Sequence, residues 1–136
     1  MAAKPDTHSA AVLLIDDQPF FTNMLRNVLE QQGFRVLVAQ NGPDGLKLAK
    51  AHTPDIILLD IEMPEMNGFI VCQQLKQDAA LKHIPVVILT GTNDPKLNEK
   101  AFKAGAEITA LKALSAERLV NMLRLALAKG RATPPV

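Results

Sequence analysis

The sequence predicts an α/β protein: one domain built on a five-stranded parallel sheet with helices on both faces. Three observations carry that prediction. Short runs that read as strands alternate strictly with stretches of helical period. Three of those runs, 11–15, 56–59 and 86–89, are wholly apolar, as strands buried on both faces are. Finally, polar or charged residues follow four of the runs at once: Asp16-Asp17, Asp60, Thr90 and Lys112. Parallel strands joined by right-handed crossovers place their carboxyl ends along one edge. These residues therefore share that edge, whatever their separation in the chain.

Taken in order, 1–9 is polar, contains Pro5 and reads as a loose tail. The first strand, 11–15, stops at Asp16-Asp17, and Pro19 suits a first helical turn. Phe21, Met24, Leu25, Val28 and Leu29 recur at helical spacing until Gly33. The second strand, 35–39, is weaker and more polar, as an edge strand can be. Asn41-Gly42-Pro43 opens a helix with Leu46, Leu48 and Ala49 as its apolar positions. The third strand, 56–59, is bounded by Pro54 and by Met63-Pro64 and ends on Asp60. Asn67-Gly68 starts a helix to about 79, with Ile70, Val71, Cys72 and Leu75 facing inward or nearly so. The fourth strand, 86–89, leads into Thr90-Gly91-Thr92. Asp94-Pro95 is an N-cap with Pro at the first helical position, and that helix, with a thin apolar face of Leu97, Ala101 and Ala104, runs to Gly105. A modest fifth strand, 107–111, precedes Lys112. Ser115 caps the last helix, whose Glu117 and Lys129 suit its dipole, and 130–136 reads as a tail or the start of a linker.

Composition narrows the function. A length of 136 residues fits one domain with a real core. The formal net charge of +1 gives no sign of binding to nucleic acid or to an anionic membrane. The single cysteine, Cys72, falls on a helix and reads as a buried structural thiol. His8, His52 and His83 lack metal-ligand spacing. The first apolar run is too short for a signal-peptide core and no run reaches transmembrane length, so the expected compartment is the cytoplasm.

Three carboxylates, a hydroxyl and an ammonium on one edge define a chemistry. Carboxylates held close together need a cation at neutral pH. Oxygen ligands without His or Cys point to a hard ion such as Mg2+, which leaves coordination sites for phosphate oxygens; Mn2+ can take its place. Lys112 is a compact cation suited to phosphate, and Gly91 lets backbone approach a ligand. An Asp carboxylate can accept a phosphoryl group as an acyl phosphate, and in-line transfer needs mainly positioning and charge neutralisation.

These residues resemble a known family. Ile15-Asp16-Asp17-Gln18, the segment Asp60-Ile-Glu-Met-Pro64-Glu-Met-Asn-Gly68, Leu89-Thr90-Gly91 and Gly105-Ala106 with Lys112 are similar to the motifs of the receiver domain of bacterial two-component response regulators. The resemblance covers 10–129. It implies the flavodoxin-like (βα)5 fold with strand order 2-1-3-4-5, and a phosphoacceptor at Asp60. It implies Mg2+ held by the Asp17 and Asp60 side chains, by Asp16 through water and by the Glu62 backbone carbonyl. Thr90 and Lys112 would engage the phosphoryl group, with Lys112 pairing to Asp60 beforehand. The implied donor is a sensor histidine kinase, a histidine phosphotransfer protein or a small phosphodonor. The protein would be no turnover enzyme, at most phosphorylating and dephosphorylating itself.

Two positions depart from the family pattern. Lys112-Ala113 replaces Lys-Pro, whose bond is cis in the family; a cis bond before Ala would cost roughly 3 kcal/mol. Thr109 stands where the family carries an aromatic that rotates inward, so a modified switch is expected on the face built by the fourth helix, fifth strand and fifth helix. In the last helix Leu119, Val120, Met122, Leu123, Leu125, Ala126 and Leu127 span roughly 220° of arc, about twice what covering one sheet face needs. That excess makes the 94–127 face, through Leu119, Val120, Leu123 and Leu127, the expected contact with a second copy or an output domain.

Three other readings fit parts of the pattern. A haloacid-dehalogenase-type phosphatase wants Asp-x-Asp after its first strand, where this chain has Asp16-Asp17-Gln18. A flavin protein wants a hydroxyl- or Gly-rich loop there, and aromatics over the ring; this chain has acids, no Trp and no Tyr. A degenerate receiver used only for docking is opposed by the intact acidic and basic set and favoured by Ala113 and Thr109.

Overall fold

The computed structural model describes residues 9–63 and 67–132, with side chains described as far as Ala128. Residues 1–8 of the tail expected at 1–9, residues 133–136 of the one expected at 130–136, and the stop at Pro64 lie outside the described residues, as does the side chain of Lys129.

The chain folds as β1 (Ala11–Ile15), α1 (Pro19–Gln31), β2 (Arg35–Ala39), α2 (Gly42–His52), β3 (Ile56–Asp60), α3 (Gly68–Gln77), β4 (Val86–Thr90), α4 (Pro95–Lys103), β5 (Ile108–Leu111) and α5 (Ala116–Ala132). The five strands are parallel in the order β2-β1-β3-β4-β5. β1 pairs with β2 on one side and β3 on the other, Val12 facing both Val36 and Ile56. The chain reverses its direction of travel across the sheet between β1 and β3, and the crevice at their carboxyl ends is the switch point where such folds place ligands.

Side-chain alternation along the strands builds a core on each face. Leu13, Ile15, Ile57, Leu59 and Ile88 pack with Ala49 of α2, with Val71, Cys72 and Leu75 of α3, and with Ala101 of α4. Val12, Leu14, Ile56, Leu58, Val87 and Leu89 pack with Leu25 and Leu29 of α1 and with the inner side of α5. Each fully buried Leu or Ile contributes roughly 1.5–3 kcal/mol. Cys72 is buried in the first core; its Sγ donates to the Ala104 carbonyl at 3.4 Å, and burial pushes the thiol up to about 11, which makes it inert at neutral pH.

Caps fall where the sequence places them. Asn41, Asn67, Asp94 and Ser115 accept backbone N–H bonds from Asp44, Ile70, Lys96 and Arg118. Boundaries shift where a side chain competes. α3 ends at Gln77 because Asp78 turns extended and its carboxylate takes the Ala80 N–H at 2.8 Å. β5 begins at Ile108, one residue later, where the Glu107 carboxylate takes the Val86 N–H at 2.7 Å in place of a backbone carbonyl. α5 runs on through Gly130 to Ala132, past the expected start of the tail. Met24 and Ile70, expected on apolar faces, are each 42% exposed.

The expectation for α5 needs correction. Leu119, Val120, Leu123 and Leu127 do not face a partner: all four are buried in this chain's own core, none more than 8% exposed. α5 is covered from two directions, by the sheet and by α1, so a wider arc is filled internally. The outward residue is Leu125, 67% exposed. Leu123→Ala is therefore expected to cost about 2–5 kcal/mol and Leu125→Ala less than about 0.5 kcal/mol, read by urea unfolding.

Candidate functional site

The site begins where β1 runs out of apolar residues. Asp16 is fully buried; its N–H donates to Ala39 O at 3.0 Å, tying the loop to β2. Its Oδ1 accepts the Gln18 N–H at 2.9 Å, a tight turn that delivers Pro19 to the start of α1. Asp60 is the last residue of β3 and is also fully buried. Its Oδ1 accepts the Glu62 N–H at 3.1 Å. Asp17 is partly exposed, and carboxylate oxygens of Asp16, Asp17 and Asp60 lie within 4.8 Å of one another.

Lys112, just after β5, reaches into this group. Its Nζ lies 2.8 Å from Asp16 Oδ2 and 3.4 Å from Asp60 Oδ2, and donates to Gln18 Oε1 at 2.8 Å. The ammonium also stands 4.9 Å from the centre of the Phe21 ring. The family pattern pairs Lys112 with Asp60, yet Asp16 is the nearer carboxylate. No peptide bond among the described residues is cis, so Lys112-Ala113 is trans.

Burial pushes the Asp60 carboxyl up to about 6 from 3.8. The Glu62 N–H opposes that rise, the Asp16 charge adds to it, and the Lys112 ammonium opposes it. One ammonium among three carboxylates leaves a net negative pocket. Among the described residues Asp16 Oδ2 and Asp60 Oδ2 are buried with no aligned hydrogen bond, and Lys112 meets both as ion pairs. Buried acceptors lacking hydrogen-bond partners, an all-oxygen donor set and excess negative charge fit a hard divalent cation.

The remaining predicted residues line the same edge or lie behind it. Thr90 ends β4 and is 3% exposed; its hydroxyl donates to Thr92 O and accepts the Thr92 N–H, both at 3.1 Å. Gly91 is exposed, and among the described residues a Cβ there would meet only Glu62 Oε1, at 3.6 Å. The Glu62 side chain is exposed too. Thr109 sits on β5 opposite Ile88, its hydroxyl donating to Asn98 Oδ1 of α4 at 3.1 Å.

Sequence reasoning missed Gln18, Phe21 and Asn98 as partners in this arrangement. Gln18 follows the acidic pair directly, so its place on the edge was readable. Its bond to Lys112, 94 residues away, was not. Phe21 reads as a core residue of α1 and serves partly as one.

The strand order, with an acidic cluster and a lysine at the switch point, defines the class: a flavodoxin-like signal receiver. The chain belongs to the response regulator receiver domain family, whose profile matches residues 12–124. It is 37% identical over 119 residues to protein PilH of Pseudomonas aeruginosa, covering 88% of this chain and 98% of that one. It is 32% identical over 114 residues to the polar-differentiation response regulator DivK of Brucella anthropi, covering 84% and 93%. Its fold overlays the chemotaxis protein CheY4 of Vibrio cholerae with a TM-score of 0.84 at 27% identity, over 87% of this chain and 98% of that one. Receiver domains of this family are generally phosphoacceptors rather than catalysts, typically bind Mg2+ at an acidic pocket, and interact with histidine kinases or phosphotransfer proteins. Among the described residues no helix is long and apolar enough to cross a membrane.

Proposed function

We propose that this chain is a phosphorylation-controlled receiver with Asp60 as its phosphoacceptor. Asp16, Asp17 and Asp60, with the Glu62 carbonyl, hold Mg2+ or Mn2+; Thr90, Gly91 and Lys112 receive the phosphoryl oxygens. The observation that carries the reading is the convergence of three carboxylates, two of them paired with one lysine, at the switch point. A bound divalent cation supplies charge neutralisation for the cluster and the incoming phosphoryl group.

The chain's own residues supply the rest. An Asp60 oxygen bonds to phosphorus as the donor's phosphorus–nitrogen bond breaks, and the donor imidazole leaves with the electron pair. Lys112 leaves Asp16 and turns to the new phosphoryl oxygens. The Thr90 hydroxyl, closed on Thr92 at rest, reorients to donate to them. The chain gains and loses a phosphoryl group and turns over no other substrate, and the cytoplasm is the compartment such a role needs. With Mg2+ and acetyl phosphate, intact mass spectrometry should find one added phosphoryl group on wild type, and none on Asp60→Asn or after chelation. Addition to Asp60→Asn, or none to wild type, contradicts the reading.

The donor is a histidine kinase or phosphotransfer protein, and Phe20 is its anchor. Phe20 is 88% exposed in the first turn of α1, with Met24 half-exposed one turn on. Aromatic residues and Met are enriched at protein interfaces relative to the rest of the surface. Phe20→Ser should slow transfer from the phosphohistidine donor about tenfold while labelling by acetyl phosphate stays unchanged.

The output switch differs from the family's aromatic relay. Thr109 tethers α4 through Asn98, and α4 buries only Ala101 completely. Thr109→Val should leave acetyl phosphate labelling intact and speed amide exchange across Pro95–Lys103, because α4 loses a tether that its thin apolar face does not replace. Unchanged exchange would remove Thr109 from the switch.

A further inference from the structure

We propose that Gln18 and Phe21 are positioning residues that hold the Lys112 ammonium on Asp16, and so set how tightly the acidic cluster takes its divalent cation. The inference rests on the metal-site reading above and adds to it the residues that govern affinity.

Among the described residues the Lys112 ammonium has four neighbours. Two are carboxylates, Asp16 Oδ2 at 2.8 Å and Asp60 Oδ2 at 3.4 Å. The other two come from the loop and first turn of α1: Gln18 Oε1 at 2.8 Å and the Phe21 ring at 4.9 Å. Gln18 is itself held, since its N–H donates to Asp16 Oδ1. Phe21 is partly buried against the second core. The cradle is therefore fixed to the fold on both sides, and the lysine side chain within it is 14% exposed.

The carboxylate oxygens that the ammonium touches are the buried ones with no aligned hydrogen bond, the same oxygens a divalent cation needs. Ammonium and divalent cation compete for them. Contacts that favour the ammonium at rest weaken cation binding by the same factor, because the two events are linked. Gln18 and Phe21 favour the ammonium without being ligands in the proposed metal set. A hydrogen bond to a charged group and a cation–π contact, each partly replaced when lysine relaxes, should together shift cation affinity by about threefold to tenfold.

Two readouts on the full chain test this. In metal-free protein the Lys112 ε-methylene protons should be shifted upfield by the Phe21 ring in wild type and Phe21→Tyr, and should return to ordinary values in Phe21→Leu. In an NMR titration with Mg2+, Phe21→Leu and Gln18→Ala should bind more tightly than wild type, and Phe21→Tyr should match it. Gln18 is exposed, so its variant keeps the test valid if Phe21→Leu folds poorly. An ordinary Lys112 shift in wild type overturns the inference. So does Mg2+ affinity in Gln18→Ala that is unchanged or weaker. Wild type that takes no Mg2+ at all overturns the metal-site reading and this inference with it; binding in wild type with unaltered variants overturns the cradle alone.

Discussion

Asp60→Asn, besides accepting no phosphoryl group, is expected to be more stable than wild type at neutral pH without metal, by about 1–3 kcal/mol. The Asp60 carboxyl rises from 3.8 to about 6 in the fold, mainly through burial. A pKa one unit higher is worth about 1.4 kcal/mol, discounted here for water at the mouth of the cleft and for the partner Lys112 loses. The sign follows from proton counting. Between pH 3.8 and about 6 the folded state holds the Asp60 proton and the unfolded state does not, so this group's contribution falls as pH rises through that window. The contribution is complete below the window and gone above it. Asn has no proton to lose and still accepts the Glu62 N–H. The advantage of Asp60→Asn should therefore be absent near pH 4, grow to about pH 6.5 and then level off, as measured by urea unfolding at a series of pH values. An advantage that shrinks with rising pH would mean that Lys112, not burial, dominates the site.

Gly68→Ala is expected to cost about 3 kcal/mol, at the upper end for forcing atoms into packed structure. A Cβ at Gly68 would lie 2.6 Å from the Asp60 carbonyl oxygen and 2.6 Å from Ile61 Cα. Both are backbone atoms and cannot rotate away. Either α3 lifts from the end of β3 or the β3 end moves, and the second displaces Asp60 itself. Acetyl phosphate labelling should fall on the order of a hundredfold, the scale of a 1 Å misplacement. Gly91→Ala is the control: its nearest contact is a Glu62 carboxylate oxygen at 3.6 Å, at the end of an exposed side chain, and stability should change by less than about 0.5 kcal/mol.

The ten elements were legible because period and punctuation agree along the chain. Apolar strands stop at Asp16, Asp60 and Lys112, and Asn41, Asn67, Asp94 and Ser115 announce the helices that follow. The acidic site was legible for the same reason, since a parallel sheet turns strand-terminal residues into neighbours. The α5 face was misread because an arc of apolar residues records how much of a helix is covered, not what covers it; α1 supplies the second cover. Gln18, Phe21 and Asn98 were not legible in their roles. Each depends on the direction of one side chain across the fold, and neither spacing nor propensity encodes that.

The most direct test of a Mg2+-dependent phosphoacceptor at Asp60 is an amide NMR titration with Mg2+ followed by beryllofluoride, a mimic of the bound phosphoryl group, on wild type and Asp60→Asn. Mg2+ is expected to shift the amides of Asp16, Asp17 and Asp60 in wild type. Beryllofluoride should then shift those of Thr90, Gly91 and Lys112 in wild type and leave Asp60→Asn unmoved. Wild type that ignores beryllofluoride in the presence of Mg2+, or an Asp60→Asn protein that responds to it equally, would contradict a phosphoacceptor at Asp60.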